Sequence, residues 1–364
     1  MITDRQAEAL KLRDQGVSRA EIAEQLGIKV EGVKSLLSAA RRNLDAGPGV
    51  QEALDRLGVE GAVTRGGWLK DKGASIRFDI PKAEDDTLER IRAAFDGMEA
   101  AQPVTAPEYT QENLLTVYPV PDAHVGMLSW GRETGEAYDT DKAVARVQSW
   151  IGRLIASSPA ARTAIIIDTG DLTHSQDQTN QTPRSKHVLD VDGRYFKTLE
   201  ASITALATAI DLALAKHERV IVRILPGNHN QDGYLAVMFA LAERYRDEPR
   251  VEVQKEPGEF FVMDWGKVML AAHHGHGAKA QQMIMFLADQ YAEQWGRTRF
   301  RYMFTGHLHH HKSQEFSGCV WEQLRAVAPR DAYAVAHAFA GRAEMQAITY
   351  DKDHGEVQRV KVAA

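Results

Sequence analysis

Aspartate, asparagine and histidine residues recur in five short blocks between residues 122 and 309, each following a run of apolar residues. The blocks are Asp122-Ala123-His124, Gly170-Asp171, Gly227-Asn228-His229, His273-His274-Gly275-His276 and Gly306-His307-Leu308-His309. Carboxylate, amide and imidazole groups bind divalent cations, and two bridged cations ~4 Å apart can activate water against an ester. The blocks therefore contain enough ligands for a two-metal hydrolytic site.

The residue types within the blocks suggest separate roles. The candidate metal ligands are Asp122, His124, Asp171, Asn228, one of His273 or His274, His307 and His309. His229 directly follows a candidate ligand, so it would stand beside the metals, where a general acid belongs. We expect Asp168 to be a structural carboxylate and His310 and His311 to flank the site.

The apolar runs before the blocks predict the elements that position them. Four runs read as strands buried on both faces: Ala164 to Ile167, Val220 to Leu225, Val268 to Ala272 and Tyr302 to Phe304. Helical patterns from Lys142 to Ser157 and from Tyr195 to His217 lie between strands, which predicts an α/β unit with mostly parallel strands. Ligands collect beyond the carboxyl ends of such strands, and the blocks sit at those ends.

The order of the five blocks resembles the calcineurin-like metallophosphoesterase superfamily, whose pattern is D-x-H, G-D, G-N-H, H-G and G-H-x-H. The resemblance covers roughly residues 114 to 350. It implies a sandwich of mixed β-sheets flanked by helices. It also implies that one metal is bound by Asp122, His124, Asp171 and His309, and the other by Asp171, Asn228, His274 and His307. His274 is preferred to His273 because the family's ligand directly precedes a glycine.

The second block narrows the resemblance. Gly170-Asp171-Leu172-Thr173-His174 lacks the G-D-x-x-D-R-G pattern of the Ser/Thr protein phosphatases. It is similar to the corresponding block of the double-strand-break repair exonucleases, in which an added histidine helps to place the nucleic-acid phosphate. This resemblance gives His174 that role and favours Mn²⁺ as the metal, with Fe or Zn²⁺ as alternatives.

The N-terminal residues predict a separate small all-α domain. Arg5 to Asp14 has a helical pattern with Ala7, Leu10 and Leu12 as candidate inward positions, and Ser18 can cap a second helix from Arg19 to Gln25. A third helix is expected from Val30 to Arg42, with Val33, Leu36 and Leu37 buried. The segment from Glu21 to Ile28 resembles the helix-turn-helix of sigma-factor region four and of response-regulator output domains, in which the third helix enters the DNA major groove.

Charge gives partial support to DNA binding. Lys29, Lys34, Arg41 and Arg42 outnumber one acidic residue, Glu31, in the third helix and the residue before it, whereas the whole chain has a net charge of −6. Duplex binding needs several phosphate contacts, so this module alone would bind DNA weakly. A packing or assembly role for the three helices remains an alternative.

The segment between these two parts has a weaker pattern. Residues 43 to 50 are typical of a linker, residues 67 to 70 and 75 to 78 predict a hairpin, and residues 86 to 98 predict a helix. We therefore expect a helix-turn-helix domain at 1–44, a linker with a hairpin and a helix at 45–112, and a metallophosphoesterase domain at 113–364.

A polar segment from His174 to Arg194 follows the expected bridging ligand and could contact the substrate. Its cations Arg184, Lys186 and Arg194 are candidates to bind a phosphate, because arginine matches phosphate oxygens in a bidentate fork. A solvated loop without substrate contact is the alternative.

Composition is consistent with a globular chain. The residues are 44% hydrophobic and 7% aromatic, and the single cysteine, Cys319, suits a reducing cytoplasm. The start of the sequence lacks a secretory signal pattern, and no apolar run approaches the ~18 residues of a membrane span.

Together these features predict a phosphodiesterase that depends on two metals, most simply a nuclease brought to DNA by its N-terminal module. One alternative is a phosphodiesterase or phosphomonoesterase of small nucleotides, with the helix-turn-helix used for assembly. Another is a DNA-binding regulator with a structural metal site. The arrangement of modules also resembles some bacteriophage-encoded phosphoesterases.

Overall fold

The computed structural model describes residues 4–15, 17–30, 32–37, 67–71, 74–78 and 100–364. The chain divides into two compact units, residues 1–90 and 91–364. The finer division at residues 44 and 112 stays a prediction, although the first strand of the second unit already begins at Gln111.

The first unit contains short helices around a small core. Helix α1 spans Asp4–Asp14, α2 spans Arg19–Gln25, and a third helix, α3, includes residues 32–37. Six side chains are buried together: Ala9, Leu10, Ile22, Ala23, Val33 and Leu37. The expectation for Ala7 was wrong, because the helices pack on the part of α1 that carries Ala9 and Leu10, and Ala7 is exposed. Leu12 and Leu36 are only partly buried.

Ser18 caps α2 as predicted. Its Oγ accepts a hydrogen bond from the Glu21 amide at 3.4 Å, and the Glu21 carboxylate accepts one from the Ser18 amide at 2.9 Å. This reciprocal capping box satisfies two amides that the helix leaves free and fixes where α2 starts. The turn before α2 is thus set by local sequence.

The hairpin predicted in the middle segment is confirmed. Strands β1 (Gly67–Asp71) and β2 (Ala74–Phe78) pair antiparallel, with Gly67 opposite Phe78. The predicted linker at 43–50 and helix at 86–98 lie outside the described residues.

The second unit is built on two mixed sheets. One has six strands in the order β13-β12-β3-β4-β5-β6, and the other has five in the order β10-β11-β9-β8-β7. The strands are β3 (Gln111–Val120), β4 (Ala161–Asp168), β5 (Arg219–Ile224), β6 (Val251–Val253), β7 (Phe261–Trp265), β8 (Val268–His273), β9 (Phe300–Thr305), β10 (Lys312–Phe316), β11 (Cys319–Gln323), β12 (Glu344–Asp351) and β13 (Gly355–Ala363). Strands β3 to β6 are parallel, as are β8, β9 and β11, and antiparallel strands lie towards the edges.

The two sheets pack face to face. Leu115 and Val117 of β3 lie in one apolar cluster with Leu270 of β8 and Phe304 of β9. Tyr118, the residue after Val117, points to the opposite face and packs in the cluster that includes the helices. Successive strand residues point to opposite faces, so burial of both faces explains the continuous apolar runs.

Helices cover both outer faces of the sandwich. The helices of this unit are α4 (Gly131–Thr134), α5 (Thr140–Ser157), α6 (Tyr195–Leu214), α7 (Tyr234–Arg244), α8 (Ala280–Gln290), α9 (Ala292–Arg297) and α10 (Ala332–Ala336). Helices α5, α6 and α7 pack on the six-stranded sheet, and α8 packs on the five-stranded sheet. The predicted fold, a sandwich of mixed sheets flanked by helices, is confirmed. Among the described helices, none has the length and apolar character to cross a bilayer.

Candidate metal centre

The five blocks meet at one edge of the sandwich. Strands β3, β4 and β5 of one sheet and β8 and β9 of the other end beside one another, and each block lies at or just after such an end. Five of the expected ligands have a left-handed backbone: Asp122 (φ 47°), His124 (φ 43°), Asp171 (φ 56°), His307 (φ 74°) and His309 (φ 55°). Each such residue costs about 1–3 kcal/mol and tends to occur at functional sites. The chain therefore bears strain in order to aim these side chains.

Two glycines of the blocks allow the loops to approach closely. Gly170 has φ +98°, and a Cβ there would lie 2.5 Å from Nδ1 of His274. A Cβ on Gly227 would lie 2.0 Å from Oδ1 of Asp171. The loops can pack against the ligand side chains only because these positions lack a side chain.

One group of candidate ligands joins the first and last blocks. Nε2 of His124 and Nε2 of His309 are 3.2 Å apart, and Oδ1 of Asp122 is 3.3 Å from Nε2 of His309. Asp122 also accepts hydrogen bonds from the His307 amide at 3.0 and 3.1 Å. These bonds hold the first and last blocks together.

A second group forms beside the first. Nε2 of His274 lies 3.1 Å from Oδ2 of Asp171 and 3.0 Å from Oδ1 of Asn228. His307 completes this group, in which the ligand atoms of Asp171, His274 and His307 lie within 4.8 Å of one another. The arrangement thus brings together all seven sequence-predicted ligands in two adjacent groups.

The spacing of these donor atoms fits metal coordination. Two ligands at about 2.1 Å from one ion stand about 3.0 to 3.4 Å apart in octahedral or tetrahedral geometry. The four donor separations in the two groups run from 3.0 to 3.3 Å. Two imidazole nitrogens that face each other directly are poorly matched without a shared proton or cation. The donor set is therefore suited to divalent cations.

The orientation of His274 also matches a metal ligand. Its Nδ1 lies 2.9 Å from the Thr169 carbonyl, which leaves Nε2 directed at Asp171 and Asn228. Ligating histidines usually donate a hydrogen bond from the N–H of their second ring nitrogen in this way. His273 instead contacts Glu259 through Nε2 at 3.2 Å and accepts the Gly275 amide at Nδ1. Both of its nitrogens are engaged elsewhere, which favours His274.

Charge is distributed to attract cations. Burial by itself would lower the pKa of His274, but the carboxylates of Asp171 and Asp122 raise it to about 9. Burial likewise opposes protonation of His309, yet Asp122 raises its pKa. Although burial works against ionisation of Asp171, His274 and His229 hold its pKa well below the usual value. The carboxylates thus favour a positive charge in both ligand groups.

His229 is held by its neighbours at the edge of the first group. Its amide donates to Asp171 at 2.8 Å, and its Nδ1 lies 2.8 Å from the His174 carbonyl. Since a carbonyl only accepts, Nδ1 carries a proton and Nε2 remains free of hydrogen bonds within the described residues. The free nitrogen is the atom that could exchange a proton with a substrate.

His174 lies behind the ligands. Its Nδ1 is 3.1 Å from Nδ1 of His124, and its ring stacks on His229 with 5.2 Å between centroids. Burial lowers the pKa of both His174 and His124 well below the usual value, so both rings are neutral near pH 7. His174 is 2% exposed, and it contacts a candidate ligand and the candidate acid at once.

Two further side chains position the second and third blocks, and one of them, Asn230, has no counterpart in the sequence pattern. The Asn230 side chain accepts hydrogen bonds from the amides of Asp171 at 3.3 Å and Gly227 at 2.9 Å, so it ties the second block to the third. Asp168, expected to be structural, accepts the Gly170 amide at 2.9 Å, and burial raises its pKa well above the usual value. An asparagine after G-N-H has no spacing that would single it out.

A cavity of about 720 Å³ opens onto the two ligand groups. Its lining includes parts of the segment 182–190 and of the segment 325–342, together with His124, Asp171, Asn228, His229, His307 and His309. Arg184 and Arg194 are exposed and are not among the lining residues. Their proposed phosphate contact stays a prediction, whereas Arg325, Arg330 and Arg342 do line the cavity. Sequence reasoning missed these three arginines because they lie in no motif.

His310 and His311 flank the site as expected. His310 contacts the Leu308 carbonyl at 2.9 Å, and His311 contacts Glu322 at 3.1 Å.

Comparison with known families and proteins gives a match at the N-terminus. The sigma-70 region 4 family matches residues 1–44, in agreement with the helix-turn-helix resemblance. A search of curated proteins finds no significant match.

Several solved structures resemble most of the chain at low similarity. A predicted phosphoesterase from Streptococcus pneumoniae TIGR4 is 11% identical, with 70% of this chain and 100% of that chain covered and a TM-score of 0.29. Zinc-bound Vps29 from Entamoeba histolytica is 12% identical, with 68% and 98% covered and a TM-score of 0.29. An archaeal phosphodiesterase is 10% identical, with 69% and 99% covered and a TM-score of 0.34. At this level the matches carry no information on substrate. The fold and the site rest on the geometry above.

Proposed function

We propose that this protein is a phosphodiesterase dependent on two divalent metals, and that it cleaves nucleic acid, with DNA favoured. This proposal rests on the convergence of two adjacent ligand groups, each with a carboxylate and two imidazoles, at the opening of one large cavity. Structural metal sites are closed by protein ligands, whereas catalytic sites keep an open side. The exposure of both groups to the cavity supports catalysis over a purely structural metal.

We assign the candidate ligands to two cations as the family resemblance implies. Asp122, His124, Asp171 and His309 would hold one cation, and Asp171, Asn228, His274 and His307 the other. Divalent cations at such a site bind phosphate oxygens and neutralise the charge that develops during displacement. Mn²⁺ is our first candidate, with Fe or Zn²⁺ as alternatives, because mixed oxygen and imidazole ligands accept all three.

His229 is our candidate general acid. The His174 carbonyl holds its Nδ1–H, so a protonated His229 presents an Nε2–H towards the cavity and can donate it to the leaving oxygen. His174 would hold both His229 and His124 in place, as well as contribute to placing the phosphate.

The first unit would aid DNA engagement. Its residues 1–44 match the sigma-70 region 4 family, and Lys29 and Lys34 are exposed on it. The small surplus of basic residues in and beside the third helix, within a chain of net charge −6, implies weak, salt-sensitive binding. Such binding suits recruitment more than tight sequence recognition. The single cysteine is consistent with the reducing cytoplasm.

A second candidate is a phosphodiesterase or phosphomonoesterase of small nucleotides, with the helices of the first unit used for assembly. The cavity favours it in one respect, because about 720 Å³ is within the usual size of a small-molecule pocket.

Hydrolysis assays separate these candidates. We would measure Mn²⁺-dependent cleavage of single-stranded DNA, duplex DNA and bis-p-nitrophenyl phosphate by the wild type, His229→Ala and Lys29→Glu/Lys34→Glu. We expect His229→Ala to lose cleavage of DNA. The lysine pair should weaken DNA cleavage and flatten its salt dependence, while leaving the small diester unaffected.

A matched control carries the same charge change elsewhere. Lys255→Glu/Lys352→Glu alters two exposed lysines of the second unit and should behave like wild type on DNA. Cleavage of the small diester without any cleavage of DNA would shift the conclusion to the small-nucleotide enzyme. Absence of metal-dependent hydrolysis of every ester would refute the proposal.

A further inference from the structure

The cavity has an aromatic wall that none of the metal-binding blocks explains. This wall is formed by residues 325–342, which follow β11 and include α10. Backbone contacts join the wall to the ligand loops near both of its ends, at Ala328 and at Gly341. The amide of Ala328 donates to the Asp122 carbonyl at 3.1 Å, and Gly341 lies so close to His309 that a Cβ would be 2.4 Å from its carbonyl oxygen.

The wall exposes aromatic rings beside the metal centre. Tyr333 is 52% exposed and Phe339 is 58% exposed, and both line the cavity. Their ring centroids are 6.4 Å apart, and the His337 ring lies 4.1 Å from Tyr333 and 5.8 Å from Phe339. Ala338, with φ +57°, turns the chain between His337 and Phe339. A strained alanine that leaves large apolar rings in solvent suggests a surface kept for a ligand.

The opposite wall of the cavity reaches the same rings. His187, from the segment 182–190, places its ring 5.8 Å from Tyr333. The two walls therefore meet at Tyr333, and the aromatic group lies where a substrate bound at the metals would extend along the cavity.

Charge along the cavity is complementary to a phosphate chain. Arg325, Arg330 and Arg342 line it. Arg342 makes no hydrogen bond or ion pair with other described residues, and Arg325 is 3.8 Å from Glu344 in a loose ion pair. Two acidic residues outside the ligand groups also line the cavity, Asp190 and Asp331, and Asp331 is occupied by capping α10 through the Ala334 amide at 2.7 Å.

We propose that Tyr333 and Phe339 stack an unpaired nucleobase of single-stranded nucleic acid, while Arg325 and Arg342 contact its phosphates. This inference rests on the proposed function and names its substrate. A base can lie on an aromatic side chain only when it is unstacked from its own strand, and successive bases of single strands bind proteins in this way. Rings and arginines in one cavity with a phosphodiester-cleaving centre fit that substrate better than a paired duplex.

The test compares two oligonucleotides of equal charge. One is a thymidine 12-mer and the other replaces its bases with abasic sites. Cleavage with Mn²⁺ gives kcat/KM, and fluorescence anisotropy in EDTA at low salt gives binding. Stacking on an aromatic residue changes affinity by roughly 5- to 150-fold per base. We expect the wild type to prefer the thymidine strand by at least tenfold, and Tyr333→Ala or Phe339→Ala to remove most of that preference.

Control variants keep the test specific. Tyr333→Phe retains a ring and should keep the preference. Tyr109→Ala removes a tyrosine that is 71% exposed and does not line the cavity, and it should match the wild type. Thymidine and abasic strands bound and cleaved equally by the wild type would overturn the inference. An equal loss of binding and cleavage on both oligonucleotides in Tyr333→Ala would also overturn the inference, because it would indicate a merely structural role for Tyr333.

The two proposals fail differently. Hydrolysis without base preference would support the phosphodiesterase proposal and refute the stacking surface. Base-dependent binding without hydrolysis under any metal would support the stacking surface and refute the enzyme proposal. Duplex DNA cleaved as well as the single strand would also contradict the unpaired base.

Discussion

Replacement of Gly170 by alanine should disrupt the metal centre without touching a ligand. Gly170 has φ +98°, and a Cβ on it would lie 2.5 Å from Nδ1 and 2.7 Å from Cγ of His274. Non-bonded heavy atoms pack at about 3.5–4.0 Å, so the imidazole must move by about 1 Å. That shift would carry Nε2 away from Asp171 and Asn228.

The expected magnitude follows from two costs. A left-handed alanine costs about 1–2 kcal/mol, and displacement of His274 breaks its 2.9 Å hydrogen bond to the Thr169 carbonyl, worth about 1 kcal/mol. The free energy of unfolding should therefore fall by about 2–3 kcal/mol. Loss of the group that orients a ligating histidine reduces metal affinity by about 10- to 100-fold.

The assay combines urea unfolding in EDTA with calorimetric titration of Mn²⁺. Gly277→Ala is a matched control in the His-rich block after β8, because a Cβ there meets nothing within 4 Å and the residue has no positive φ. It should bind Mn²⁺ and unfold like the wild type. Wild-type Mn²⁺ affinity and stability in Gly170→Ala would refute the view that close loop packing shapes the centre.

Three further outcomes are expected. Asn230→Ala leaves two buried amides without an acceptor, so it should destabilise the fold by about 1–3 kcal/mol per amide in urea unfolding and weaken Mn²⁺ binding by about tenfold or more; unchanged Mn²⁺ affinity would deny Asn230 a positioning role. Burial lowers the pKa of His217 to about 4, below its unfolded value of about 6.5, so stability is full above pH 6.5 and declines as pH falls towards 4. Between pH 7 and 5, the free energy of unfolding of the wild type should fall by about 2 kcal/mol more than that of His217→Gln. Parallel pH profiles of stability would contradict this. Arg359→Met leaves the buried carboxylate of Glu322 without the guanidinium that contacts it at 2.6 and 2.8 Å. We expect the free energy of unfolding in urea to fall by about 3–5 kcal/mol and to be partly restored when Glu322→Gln is added. If Arg359→Met alone loses no more stability than the double variant, the ion pair does not explain the loss.

The His217 prediction depends on a fully enclosed imidazole. Its Nδ1 contacts the Ala161 carbonyl at 2.7 Å and its Nε2 contacts the Tyr118 hydroxyl at 2.9 Å. This histidine lies beyond the C-terminal end of α6 and away from the ligand groups, so metal binding should not disturb its titration.

Some features of this protein followed from local sequence alone. Ser18 and Glu21 fixed the start of α2 because a capping box needs only neighbouring residues. The apolar runs of β4, β5, β8 and β9 predicted strands covered on both faces, and five ordered blocks at strand ends indicated seven candidate ligands that the fold brings together. The inward position of α1 was misjudged at Ala7, because a short helix does not reveal which part of it other helices will cover.

Other features required the tertiary structure. The choice between His273 and His274 depends on Glu259 and Thr169, which are distant in sequence. The role of Asn230 appears only when the second and third blocks meet. Arg184 and Arg194 were chosen from a polar segment near a ligand, yet the arginines lining the cavity come from residues 325–342.

The sequence thus determined the candidate donor atoms, because metal ligands belong to a few residue types and parallel strands carry them to one edge. It could not determine the walls of the cavity. Tyr333, Phe339 and Arg342 belong to no periodic pattern, and their position beside the donors arises from backbone contacts of Ala328 with Asp122 and of Gly341 with His309. Contacts between distant residues decide what reaches the metal centre, since side chains from separate segments must meet to form a cavity.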